Sequence, residues 1–167
     1  MPKAKYQFEE FLETVPLLNR DFVCRVRELL LHKNYKGRLS VTKSTGFQLA
    51  FHEPKIKSTV GILAIFFKRQ DPLILRIYGR NHQCYQDVLE ELPSWMVSHI
   101  KEAMDCKKFK DPEACWKGCR GLDFSVRGEI FQKCLVDCFE FKVDEASEPH
   151  LLRIIEGEKI ARLGAGV

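Results

Sequence analysis

Apolar residues recur near the start of the chain at Phe8, Phe11, Leu12 and Val15, the i, i+3, i+4, i+7 spacing of one helix face, and Pro16 follows as a stop. A second helix is predicted from Asn19, a residue type suited to an N-cap. It places Phe22, Val26, Leu29 and Leu30 on one stripe, with Gly37 ending the segment. From Arg38 the period changes to two. Leu39 and Val41 alternate with Ser40 and Thr42, Ser44-Thr45-Gly46 turns the chain, and Phe47, Leu49 and Phe51 alternate with Gln48, Ala50 and His52. Residues 60–67 are apolar on both faces, as in a central strand, and Leu73, Leu75 and Ile77 alternate into a fourth strand that ends at Gly79. Four antiparallel strands in succession make a meander, one face of which the helices must cover.

Residues 82–104 return to helical spacing with Tyr85, Val88, Leu89 and Leu92. Pro93 then separates this helix from a second, capped by Ser94 and carrying Trp95, Met96, Ile100 and Met104. From Cys106 to Gly121 the breakers Asp111-Pro112 and Gly118 read as loop. Leu122, Phe124 and Val126 alternate, Arg127-Gly128 turns, and residues 130–143 are predicted to return as one strand. That strand puts Phe131, Leu135, Phe139 and Phe141 near one face and Cys134, Val136 and Cys138 on the other. Ser147-Glu-Pro149 opens a last amphipathic helix with Leu151, Leu152 and Ile155. The expected fold is α+β: an antiparallel sheet of about four strands covered by helices, with a cysteine-rich C-terminal hairpin and a terminal helix. Residues 1–167 are read as a single domain, with a core over 8–104, the cysteine-rich loop and hairpin over 105–145 and the last helix over 147–163.

A chain of 167 residues can bury a core without needing metal or disulfides merely to stay folded. Its charge is uneven. Residues 1–80 carry 15 basic and 7 acidic side chains, and residues 81–167 carry 12 and 16. The basic residues of the first half are scattered rather than grouped, which favours an ordinary solvated surface over a polyanion-binding block. No apolar run near the start reads as a secretory signal, and none approaches the length of a membrane span. A cytoplasmic protein with reduced thiols and no membrane partner is therefore expected.

Five of the seven cysteines fall within thirty-three residues, as Cys106, Cys115, Cys119, Cys134 and Cys138; Cys24 and Cys84 stand apart. One reading is a zinc site. Cys115-Trp-Lys-Gly-Cys119 would form the knuckle and Cys106 and Cys134 would complete the tetrahedron, with Cys138 as the alternative fourth ligand. On one strand Cys134 and Cys138 would stand about 13 Å apart, so only one of them would ligate unless a helical turn brings them together. Buried thiols that serve as small hydrophobes are the second reading. The third is thiol chemistry, for which Lys107, Lys108, Lys117 and Arg120 would lower nearby thiol pKa values.

The five histidines, His32, His52, His82, His99 and His150, have no metal-ligand spacing and read as surface or boundary residues. His52-Glu53 at a strand end reads as an ordinary polar terminus. Signatures of serine hydrolases and of phosphate- or dinucleotide-binding loops are absent. Arg76, Tyr78 and Arg80, with Lys43 and Lys68, would make a basic sheet face of the kind that holds single-stranded nucleic acid. The sheet's phenylalanines fit better as core, so nucleic acid is not favoured as partner. A small-ligand cleft between the sheet and the Trp95 helix is allowed.

The run Gly46-Phe-Gln-Leu-Ala-Phe51, then Leu73-Ile-Leu-Arg-Ile-Tyr78, then Leu92-Pro-Ser-Trp95 resembles in layout the small bacterial domains of the MmcQ/YjbR and TfoX N-terminal type and the YdhG-like proteins. The segment with Cys106, Cys115, Cys119, Gly128-Glu-Ile-Phe-Gln-Lys-Cys134 and Phe139-Glu-Phe141 is similar to a group of uncharacterised proteins from Gram-positive anaerobes. That resemblance implies a bacterial cytosolic protein and carries over no catalytic residue. The functional expectation leans away from an enzyme, to a binding or accessory protein with a structural cysteine cluster and zinc as its one candidate cofactor. A thiol-dependent enzyme or redox sensor is the alternative, and a nucleic-acid-binding module a further one.

Overall fold

The computed structural model describes residues 7–32, 35–53, 62–68, 72–115 and 119–164. Expectations for residues 1–6, for the approach to the third strand and for Trp116, Lys117 and Gly118 lie outside them. The fold is α+β, and the chain forms two compact units, residues 1–77 with 141–152 and residues 78–140 with 153–167.

In the first unit α1 (Phe8–Thr14) and α2 (Arg20–Leu31) precede a five-stranded sheet. Its strands are β1 (Lys36–Thr42), β2 (Gly46–His52), β3 (Ile62–Lys68), β4 (Leu73–Ile77) and β7 (Glu140–Lys142), in the order β1-β2-β3-β4-β7. The continuous apolar run places β3 at the centre. Leu63, Ala64, Ile65, Phe66 and Phe67 are all buried, which a half-exposed edge strand could not sustain. The helices cover the sheet through rings: Phe11 lies 5.6 Å from Phe47, and Phe22 meets Phe66 edge-on at 6.2 Å. Phe22, Val26 and Leu30 are buried as their stripe requires, together with Val23. Asn19 precedes α2 without capping it through its side chain; the amide instead reaches Glu148 Oε1 at 3.4 Å.

The meander was read from sequence as four strands, and β7 is the fifth. It comes from the predicted strand over 130–143, which does not form as one piece. The chain pairs as β6 (Glu129–Lys133), turns through residues 134–139, and only then extends as β7. The break has a local cause. Asp105 bridges Lys133, with Cys106 N–H donating to Gln132 O at 3.0 Å and Cys134 N–H donating to Met104 O at 2.8 Å. Beyond that bridge Cys138 N–H donates to Cys134 O at 3.0 Å, a helical turn.

The second unit contains α3 (Gln86–Glu90), α4 (Ser94–Glu102), the hairpin of β5 (Leu122–Val126) with β6, and most of α5 (Glu148–Gly164). Pro93 does separate the two helices. The hairpin turns on Arg127 at φ 53° and Gly128 at φ 80°, the double positive φ of a two-residue turn whose twist matches the strands. Such a conformation is unfavourable for arginine, and four hydrogen bonds hold it there. Its N–H donates to Glu90 Oε2 at 2.6 Å, and its guanidinium donates to Glu90 O, Ser94 Oγ and Leu92 O.

Candidate functional site

The five clustered cysteines are spread over the loop before the hairpin, the end of the hairpin and the turn that follows it. Cys106 and Cys134 sit one step either side of the Asp105–Lys133 bridge, roughly 7 Å apart along the chain direction at strand rise. A zinc tetrahedron needs each sulfur at about 2.3 Å from one point. Among the described residues no group of three or more His, Cys, Asp or Glu side chains is arranged to hold a metal ion. Cys106 and Cys119 are each 4% exposed and Cys138 is fully buried. Burial drives the Cys138 thiol far above the ordinary cysteine value, an effect only partly opposed by the charge of Lys133. The helical turn also removes the 13 Å separation expected for Cys134 and Cys138: they are now i and i+4 of one turn, Cys134 half-buried and Cys138 within.

Immediately before Cys134 lies a residue the sequence reading passed over. Lys133 is 6% exposed, and its ammonium donates to Lys101 O at 2.7 Å, Ala103 O at 2.8 Å and Asp105 Oδ1 at 2.8 Å. All three of its protons are used, which is the condition for burying an ammonium at all. The hydrogen bond and charge of Lys133 in turn hold the exposed Asp105 carboxyl below the ordinary range. Lys133 therefore ties the end of α4 to the hairpin.

A second buried group forms on α5. Leu151, Ile154, Ile155 and Glu158 all lie on its buried face, so a carboxylate occupies a place where the helical period calls for an apolar side chain. Glu158 is 0% exposed, and its two oxygens accept four hydrogen bonds. Asn81 N–H donates at 3.1 Å, Asn81 Nδ2 at 2.9 Å, Tyr85 O–H at 3.0 Å and Arg162 Nε at 2.7 Å. Burial first, then the Glu158 charge, pushes the Tyr85 phenol well above its ordinary value, so it stays a donor. The packing that permits this rests on two glycines. A Cβ on Gly157 would come within 2.6 Å of Tyr85 Cβ, and one on Gly79 would overlap the Phe139 ring and stand 2.9 Å from the Tyr85 hydroxyl.

Arg162 continues the network by donating from Nη2 to Tyr78 O at 3.1 Å, the same carbonyl that accepts from Arg80 N–H at 2.9 Å. The two arginines thus meet at one backbone oxygen. β4 ends at Ile77, so Arg80 lies past the sheet and not on the basic face that the alternation of Arg76, Tyr78 and Arg80 predicts. Tyr78 is buried, and the Arg76 guanidinium stacks 4.8 Å over Phe67. Burial of the Arg80 side chain, with the like charges of Arg162 and Arg120, pulls its guanidinium below the ordinary value. Its Nε is shut off from water and has no acceptor among the described residues, at a cost of about 1–3 kcal/mol for a buried donor.

His82, read from sequence as a surface or boundary residue, is buried. Nδ1 lies 3.0 Å from Gly79 O and Nε2 3.1 Å from Asp123 O, and the ring packs 5.3 Å from Phe124. A neutral imidazole can donate to only one of those carbonyls. His52 ends β2 beside Glu53, both half-buried, as an ordinary strand terminus. No helix among the described residues is long and apolar enough to cross a membrane. No family model matches the chain, and neither a curated protein nor a solved structure does.

Proposed function

We propose that this is a non-enzymatic binding or accessory protein of the bacterial cytoplasm, in which the clustered cysteines are structural. The burial of Cys106, Cys119 and Cys138 carries the reading. A nucleophilic or redox-sensing thiol needs access and an electropositive setting that favours the thiolate, whereas burial holds Cys138 in the thiol form. The two buried charged groups, Lys133 and Glu158, have their hydrogen-bonding capacity filled by the protein itself and serve to fix its shape. The resemblance to proteins of Gram-positive anaerobes supports the compartment, in which packed thiols remain reduced.

The test is a thiol count on native and denatured protein, purified under reducing conditions, with zinc measured on the same sample. Cys106, Cys119 and Cys138 are expected to be unreactive until denaturation. Reaction of any of the three within seconds in the native state would move the reading to a thiol-dependent enzyme or redox sensor. About one zinc per chain, released together with the thiols, would make Cys106, Cys115, Cys119 and Cys134, or Cys138 in place of the last, a metal-bound version of the same structural role.

A further inference from the structure

Within the first unit, the turn between α1 and α2, the start of β4 and the segment joining β7 to α5 meet around a cleft of about 430 Å³. Pro16, Leu18 and Asn19 line it from the turn, Pro72 from just before β4, and residues 142–145 from the joining segment. The walls are pinned by hydrogen bonds of their own. Val143 N–H donates to Leu73 O at 2.9 Å, Asn19 N–H to Pro16 O at 2.9 Å, and Asp144 and Ser147 hold each other across the last turn. The cleft is therefore preformed, and its volume falls within the range of roughly 300–1,000 Å³ usual for small-ligand sites.

What it offers a ligand is acceptors beside an apolar wall. Asn19 is only 9% exposed, and its Nδ2 donates to Glu148 Oε1 at 3.4 Å. A carboxylate accepts and cannot donate, so this contact fixes which way the amide lies. It leaves Asn19 Oδ1, which takes no hydrogen bond among the described residues, as the atom available to the cleft. Lys142 Nζ stands 4.0 Å from Asp144 Oδ2 and balances that carboxylate. Glu145 is exposed and has neither a hydrogen bond nor an ion pair among the described residues, so one negative charge is left over. The N-terminus of α5, which would favour an anion, is already closed: Asp144 O accepts from both Ser147 N–H and Glu148 N–H at 3.0 Å.

We propose that this cleft binds a small primary amine with an apolar body. The ammonium donates to Asn19 Oδ1 and to the Glu145 carboxylate, while the body lies against Leu18, Val143 and the two prolines. The protein holds its own Lys133 ammonium in the same way, on two carbonyl oxygens and one carboxylate.

This deepens the binding-protein reading and rests on it. The probe is phenethylamine, titrated into the full chain by calorimetry at low ionic strength and followed in amide NMR spectra. Saturable binding is expected, with shifts grouped at Leu18, Asn19 and residues 143–145. Phenethyl alcohol, which carries a hydroxyl in place of the ammonium, should bind about tenfold more weakly, the scale of a lost charge-assisted hydrogen bond. Asn19→Ala should weaken the amine by about tenfold. Glu145→Gln, an exposed substitution that keeps the fold, should weaken it by about threefold or more, and Glu28→Gln, an exposed acid on α2 outside the lining, by less than about twofold. No saturable binding, equal affinity for the alcohol, shifts grouped elsewhere or an equal loss in Glu28→Gln would each overturn the site. Binding of a lysine-bearing peptide without binding of phenethylamine would overturn the small-ligand assignment. Failure on those grounds with Cys106, Cys119 and Cys138 still protected leaves the binding-protein reading in place with another ligand. Fast native thiols beside intact amine binding would overturn that reading and keep the site.

Discussion

Among the described residues the first unit buries the polar side chains Asn19 and Ser147, both neutral, whereas the second unit buries Lys133 and Glu158, groups ordinarily charged at neutral pH, together with His82. Ser147 closes the turn before α5 through a reciprocal pair with Asp144, each residue's N–H reaching the other's side-chain oxygen at 2.9–3.0 Å. The first unit otherwise rests on apolar area, a non-directional term that tolerates small changes of shape. The second holds its shape with directional contacts to buried charges, where removing one partner leaves the others desolvated and unpaired. Size of substitution should therefore predict damage in the first unit, and loss of a partner should predict it in the second.

The sharpest contrast pairs Glu158→Gln with Ile77→Val. The first is nearly isosteric and should cost about 3–5 kcal/mol, because Arg162 is left buried without its counter-charge. The second removes a methylene from a fully buried strand position and should cost about 0.5–1.5 kcal/mol. Urea unfolding of both variants decides it; equal costs would erase the distinction. Next in size is Gly157→Ala, ordinarily a stabilising exchange in a helix. Here the added methyl meets Tyr85 Cβ, and a loss of about 1–3 kcal/mol is expected in the same measurement.

Acid titration probes the Lys133 anchor. Because Lys133 depresses the folded-state value of Asp105, the contribution of this carboxylate is complete above its ordinary value of 3.8 and is lost as pH falls through the lower folded value. Melting temperatures taken between about pH 5 and 2 should fall less steeply for Asp105→Asn than for the parent; parallel curves would show that the ion pair adds nothing. The smallest effect belongs to Arg25→Ala in the first unit. Its 3.2 Å pair with Glu148 keeps the arginine more than half exposed, and its loss should stay within about 0.5 kcal/mol.

Much of this architecture is legible in the chain. The two-residue alternation of β4, the doubly apolar run of β3 and the 3.6 spacing of α2 are local signals of which face meets water; in β1 and β2 the alternation located the strands but not their faces, since Val41 is exposed and Ala50 buried. The Arg127-Gly128 turn was equally readable. The break at Cys134 was not, since it depends on Asp105 and Met104 pairing about thirty positions away in sequence. Cysteine density drew attention to the unit that also buries Lys133 and Glu158, charged residues to which no motif pointed. Glu158 did leave a trace, as an acid in phase with Leu151 and Ile155 and four residues before Arg162, but an acid in that phase can equally lie at the edge of an amphipathic face.

By itself the sequence determined most of the secondary structure, the fold class and the identity of most buried apolar residues, because each follows from how a short stretch divides its surface between water and a core. Only the tertiary structure decided which charges are desolvated and what they face. Glu158 becomes a satisfied anion through Asn81, 77 residues away, and Tyr85, 73 residues away, and Arg80 becomes an unmatched donor beside them. An ionised group's energy depends on every partner within a few ångströms, and the folded chain alone sets that neighbourhood.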